Sequence, residues 1–296
     1  MIENNQLYLI IAKVIELILY VVVFYTLNKK YLGVPYKNRP SIHRFFLLGI
    51  GGWILYMFLD TIIYVIAPIS IPVTALKGAE FTGYSIEYPS LLIANILRDI
   101  AIPGALVMAW VYCAAAVQIN NGININERFF FSKEKLFPKK ENIKISRGLF
   151  YRLIAIVSVI SVIILDRIVV HVIDNGQVHV ASGWGIVNTI FLLGFFTYAT
   201  FLMIKQILYL RTTQMEAVYK KRAQNLGWGI ITYTAGLYYW GLVGVIFQNL
   251  TASDYNTLIL IFLFLGHGIW SLSAVFIFLA FRSTDKSTEP KAEMAQ

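Results

Sequence analysis

Eight ionisable side chains sit inside stretches that are otherwise apolar: Lys13, Glu16, Asp60, Arg98, Asp99, Asp166, Arg167 and His267. Residues of these types can transfer protons, bind ions or pair with one another. A charge in the middle of an apolar span costs at least ~2.5–3.5 kcal/mol, so such groups face the protein interior and find partners there. The signs permit pairing, with Lys13, Arg98 and Arg167 set against Glu16, Asp60, Asp99 and Asp166. Lys13 and Glu16 are three residues apart and can meet on one helical face. Arg98 and Asp99 are adjacent, diverge by about 100° around a helix, and are expected to pair with different neighbours. Gly52, Tyr56, Asp60 and Tyr64 recur every fourth residue, a stripe that faces the core.

Two chemistries fit this set. One is a network of interhelical ion pairs that fixes packing. The other is a polar cavity where Glu16, Asp60, Arg98, Asp99, Asp166, Arg167 and His267 meet a small molecule or ion. Enzyme signatures are missing. There is no His-Glu-x-x-His, and the four histidines at 43, 171, 179 and 267 are too scattered for a paired metal site. Neither a metal nor a cofactor is expected, and the chain reads as a binding protein before an enzyme. Its single cysteine, Cys113 in Val-Tyr-Cys-Ala-Ala-Ala, excludes an intramolecular disulfide and reads as a small packing residue.

The elements that position these groups are seven apolar stretches at 7–27, 45–68, 91–119, 149–171, 184–210, 226–250 and 258–281. Each approaches or exceeds the ~20 residues a helix needs to cross ~30 Å of hydrocarbon. Composition agrees. Hydrophobic residues make up 58% of the chain and charged residues only 14%, against about 25% charged in ordinary soluble domains. Lys13 and Glu16 interrupt the first stretch and no small-residue cleavage site follows it, so it reads as a retained helix. The fold class is therefore an all-α integral membrane protein, a seven-helix bundle. Residues 1–6 form its outer N-terminus, 7–281 the membrane domain and 282–296 a polar tail.

Basic residues orient it. The connections 28–44, 120–148 and 211–225, together with the tail, hold nineteen Lys and Arg, whereas the N-terminus and the alternate connections hold only Lys77. Such asymmetry places the basic loops and the C-terminus in the cytoplasm and the N-terminus outside, with the cell membrane as the expected location. The net charge of +9 is thereby explained without a nucleic-acid partner. The ionisable residues fall roughly 8–15 Å from the predicted outer helix ends, counting ~1.5 Å per residue.

Local signals add detail. Gly49, Gly51 and Gly52 let helix 2 approach a neighbour closely. Pro103-Gly104 interrupts the hydrogen-bond ladder of helix 3 near Asp99. Asn175-Gly176, flanked by alternating apolar residues, predicts a short outer β-hairpin between helices 4 and 5, with Val172 opposite His179. Arg128-Phe-Phe-Phe-Ser-Lys-Glu-Lys-Leu-Phe alternates aromatic and basic groups, as expected of a segment in the cytoplasmic interface.

Seven helices with an outer N-terminus is also the topology of rhodopsins and G-protein-coupled receptors. Helix 7 has no lysine for a retinal Schiff base and no Asn-Pro-x-x-Tyr, and Asp166-Arg167-Ile168 lies at the wrong helix end for the receptor motif. Both families are set aside on these residues.

The reading that emerges is a receptor-like or sensor-like protein. A small molecule or ion would enter from the outer side, and a cytoplasmic protein partner would read loops 120–148 and 211–225. The alternatives are a transporter or channel using the same charges, a membrane enzyme acting on lipid, and a structural subunit.

Overall fold

The computed structural model describes residues 4–66, 89–138, 145–167, 169–174, 177–182, 194–214, 216–247 and 252–282. Among them are seven long helices: α1 (Asn4–Lys29), α2 (Ser41–Ile66), α3 (Pro89–Asn121), α4 (Arg147–Arg167), α5 (Gly194–Thr212), α6 (Ala217–Phe247) and α7 (Ala252–Phe281). Four of these contain segments long and apolar enough to cross a membrane, at Ile10–Lys29, Ser41–Ile63, Pro103–Asn121 and Phe264–Phe281. They point to a membrane protein with lipid against its apolar helices.

Strands β1 (Val169–Asp174) and β2 (Gln177–Ser182) follow α4 and pair antiparallel. Val172 stands opposite His179 and His171 opposite Val180, so the two histidines occupy alternate positions in the register. The Asn175-Gly176 pair and the tail beyond Arg282 lie outside the described residues.

The helices close into a ring that sequence order alone does not suggest. In turn, α1 packs on α2, α2 on α3, α3 on α5, α5 on α6, α6 on α7, and α7 back on α1. Helix α4 is left outside, resting on α3 and on a short π-helical turn at Asn126–Phe130. Its Leu153, Ile154, Ile156, Val157 and Ile160 are exposed, which suits a helix whose apolar side chains meet lipid.

Glycines set the closest contacts. A Cβ on Gly104 would stand 2.4 Å from the Gly52 carbonyl oxygen, and one on Gly52 would stand 2.8 Å from the Gly104 oxygen. The α2 and α3 backbones therefore touch one residue beyond Pro103, which sits inside α3 without ending it. Helices α6 and α7 are locked reciprocally. Trp270 of α7 packs on Gly236 of α6, and Trp240 of α6 packs on Gly266 of α7, where added Cβ atoms would meet the indoles at 2.4 and 2.6 Å. Small residues admit this kind of close packing where lipid supplies no hydrophobic drive between helices. Inside the ring, Phe46, Ile50, Trp53, Met57, Met108, Tyr112, Phe196 and Tyr233 form the buried core.

Candidate functional site

Three adjacent helices bring four ionisable side chains into the ring. Lys13 of α1 forms an ion pair with Asp60 of α2. One turn along α1, the Glu16 carboxyl oxygen Oε2 lies 2.7 Å from Nδ1 of His267 on α7. Glu16 and His267 are 0% and 3% exposed. One proton serves this contact, carried either by the imidazole nitrogen or by the carboxyl group.

Aromatic rings fill the space around these pairs. Trp53 stacks on Tyr56 at 4.8 Å and meets Trp270 edge-on at 5.1 Å and Tyr233 at 5.0 Å. The His267 ring lies 5.3 Å from that of Trp240 and 6.2 Å from that of Trp270. Toward the other end of the ring, the Tyr20 hydroxyl donates to the Trp270 carbonyl at 3.3 Å. The Ser273 hydroxyl donates to the Gly229 carbonyl at 2.7 Å. The Trp270 indole N–H donates to the Tyr233 carbonyl at 3.3 Å. These bonds tie α1, α6 and α7 together next to the charged pairs.

Several buried polar atoms remain unmatched. Glu16 Oε1, His267 Nε2, the Tyr112 hydroxyl and the indole nitrogens of Trp53 and Trp240 have no hydrogen-bond partner among the described residues. Buried polar atoms are almost always satisfied, so a group of orphans around one carboxyl–imidazole pair calls for an explanation. The arrangement can hold a proton, bind a small ion, or change partners when a helix shifts.

Of the residues singled out in the sequence, Glu16, Asp60 and His267 are brought together, with Lys13. Lys13 and Glu16, which can meet on one face of α1, also reach other helices, Lys13 to Asp60 and Glu16 to His267. The side chains of Arg98, Asp99, Asp166 and Arg167 lie outside the described residues, although their backbones belong to α3 and α4. Asp166 and Arg167 end the one long helix that stands off the ring. Tyr239 is an anchor, its hydroxyl donating to the Phe262 carbonyl at 2.7 Å. Trp53, Tyr20, Tyr112 and Trp270 were not anticipated as parts of the site. Only the step of three from His267 to Trp270 hinted at one of them. No cluster of residues able to hold a metal ion occurs among the described residues.

At the end of the ring where the basic residues collect, a cavity of about 120 Å³ opens between Ile42, Ile119, Met203, Ile207, Leu226 and Gly227. It is apolar, and it lies about two helical turns from Tyr112 and Tyr233, counting along α3 and α6. In the connection after α3, Phe130 turns in to meet the Trp110 ring at 4.8 Å while Phe131 and Phe137 are exposed.

Comparison with protein-family models, curated protein sequences and solved structures finds no match to this chain. What the site does must therefore be argued from its own geometry.

Proposed function

We propose that the chain is a seven-helix membrane protein with its basic end in the cytoplasm, and that it works as a receptor-like sensor. In this reading a small molecule or ion entering from the outer side is bound at Glu16, His267, Lys13 and Asp60. The observation that carries it is the pairing of α1 with both α2 and α7 through buried polar contacts, while Glu16 Oε1 and His267 Nε2 stay unmatched among the described residues. A ligand that satisfies those two atoms better in one arrangement of α1 and α7 than in another shifts the balance between the arrangements by that difference in affinity. Movement of α7 would pass to α6 through the reciprocal Trp–Gly contacts. From there it would reach the connection around 213–216 and the surface offered to a cytoplasmic partner. Counting along the helices, a mostly apolar layer of Phe46, Ile50, Met108, Ile230 and Ile277 lies between the charged pairs and the basic-end cavity, with Tyr20, Tyr112 and Ser273 as polar groups beside it. Such a layer suits an occupant that enters and leaves on one side.

The cavity itself favours a second reading, a transporter in which the charged pairs face the two sides alternately. One experiment addresses both. The purified chain is melted across pH 5–8 and across a panel of monovalent and divalent cations, primary and quaternary amines, and small carboxylates. Glu16→Gln, His267→Gln and Asp60→Asn are melted alongside. A compound that raises the wild-type midpoint but not that of folded variants supports binding at this site. Flux of the same compound into liposomes, abolished by Glu16→Gln, would favour transport over sensing. If no condition shifts the wild type and the variants simply melt earlier, the pairs are packing elements and the reading falls.

A further inference from the structure

A second polar cluster lies at the basic end of the ring, where the C-terminus of α1 meets the N-terminus of α2. His43, in the first turn of α2, is 2% exposed. Neither of its ring nitrogens has a hydrogen-bond partner among the described residues. Its ring packs on Tyr31 at 4.3 Å between centroids, which covers one face and leaves the nitrogen-bearing edge to be accounted for. Lys30 stands over the same Tyr31 ring, its Nζ 5.9 Å from the centroid, and Arg39 lies one turn before His43 in the chain. Arg39 is held in place, its Nε donating to the Val34 carbonyl at 3.0 Å and its Nη1 to Asn28 Oδ1 at 2.7 Å.

Lys30 is exposed. Burial of part of its stem, and then the Arg222 guanidinium, hold its ammonium below the usual lysine range. Arg222 itself donates to the Arg282 carbonyl at the end of α7, at 3.4 Å. The first turn of α2 contains no acidic residue. Nearby, Glu127 pairs with Arg44 at 3.8 Å. Among the described residues no carboxylate forms an ion pair with Lys30 or Arg39.

Positive-inside bias explains why lysines and arginines gather at this end, and several of them cap helix carbonyls. It does not explain a buried histidine with two unmet nitrogens set among cations. A helix N-terminus adds free N–H groups and a positive dipole end at the same place. Cationic side chains, an imidazole able to donate and a helix N-terminus together form a recognisable receptor for tetrahedral oxyanions.

We propose that His43, Lys30, Arg39 and the N-terminus of α2 together bind a phosphate group. Two sources offer that chemistry, free phosphate or a phosphomonoester from solution, and the headgroup of an anionic phospholipid in the adjacent leaflet. The full-length chain in neutral detergent can be melted against inorganic phosphate, against sodium chloride of matched ionic strength, and in phosphatidylcholine nanodiscs with or without phosphatidylglycerol. The expected result is a rise in midpoint with phosphate or with phosphatidylglycerol that chloride does not reproduce. Apparent affinity should fall by roughly tenfold in Lys30→Gln, as expected for loss of one charge-assisted contact, and more in His43→Phe. A response to free phosphate assigns a soluble ligand, and a response to phosphatidylglycerol alone assigns a headgroup. The proposal is overturned if neither exceeds matched chloride, or if Lys30→Gln responds as wild type does. Lys30 is exposed, so its variant keeps the test valid should His43→Phe fail to fold.

Discussion

The ring presents two polar regions built on opposite rules. Midway along it, Lys13 with Asp60 and Glu16 with His267 oppose one another, buried among aromatic rings. At the basic end, His43 lies beside Tyr31 with Lys30 and Arg39 close in the chain, and among the described residues neither cation forms an ion pair with a carboxylate. The difference follows from access to water. A charge deep in an apolar ring cannot be solvated and needs a protein partner. A charge at the rim reaches water or a headgroup and needs none. What the two regions share is a buried histidine with an unmet nitrogen, and that is where each is open to something from outside.

The largest expected effect comes from breaking the buried pairing. Lys13→Ala leaves Asp60 without its partner and should cost ~3–5 kcal/mol, the penalty for orphaning one member of a buried ion pair. Lys13→Met combined with Asp60→Leu should recover most of that loss, because paired apolar groups need no solvation. Equilibrium unfolding in detergent reads both. If Lys13→Ala is nearly silent, the mid-ring site is better hydrated than its burial indicates, and the contrast with the basic end collapses.

The charges of this site were legible in the sequence because an ionisable residue in an apolar span stands out against its neighbours. Their partners were not. Lys13 and Glu16 share a helical face by spacing, yet each reaches across to another helix, because the ring places α2 and α7 on either side of α1. Nothing in the order of seven stretches indicates that α4 is left out, since its apolar character is the same whether it faces lipid or protein. The aromatic lining was equally hidden. Trp53 and Trp270 are buried, whereas Trp228, Tyr198 and Tyr209 are exposed, and residue type alone cannot separate the two sets in a membrane chain. The glycines of helix 2 were the exception. Gly49 and Gly52 take up the close contacts expected of them, the former against Val111 and Met108.

A finer test lies on either side of His267. In the sequence Gly266 and Gly268 are equivalent flanks. In the structure a Cβ on Gly266 would meet the Trp240 ring at 2.6 Å, while one on Gly268 meets nothing within 4 Å. Gly266→Ala should therefore cost ~1–3 kcal/mol, the usual range for overpacking a filled core. It should also disturb any response that depends on His267. Gly268→Ala should be neutral or slightly stabilising, since alanine exceeds glycine in helix propensity by about 1 kcal/mol. Paired melting curves decide it, and equal losses at both positions would mean that the α6–α7 lock is misdrawn.

Smaller still is the anchor at Tyr239. Its hydroxyl donates to the Phe262 carbonyl across the α6–α7 contact at 2.7 Å. Tyr239→Phe removes one neutral hydrogen bond and keeps the ring, so a loss of ~0.5–1.5 kcal/mol is expected. A larger loss in the same unfolding assay would show that the hydroxyl takes part in the polar network around His267 and does more than hold two helices together.

The smallest effect should come from the rim, and it tests the contrast from the other direction. Arg147 Nη1 lies 2.8 Å from Glu134 Oε2, a shorter ion pair than many that stabilise proteins. The Arg147 side chain is 36% exposed and that of Glu134 70%, so water and salt compete for both groups. Exposed pairs contribute ~0–1 kcal/mol whatever their length. The segment is also held by backbone bonds, from the Arg147 amide to the Glu134 carbonyl at 2.7 Å and from Gly148 to the Ser132 carbonyl at 3.1 Å. Those survive the substitution. Glu134→Gln should therefore change stability by no more than about 0.5 kcal/mol, and less in high salt. A loss comparable to that of Lys13→Ala would mean that this end of the molecule is shielded from water by lipid or by a partner. Solvation would then no longer separate the two regions.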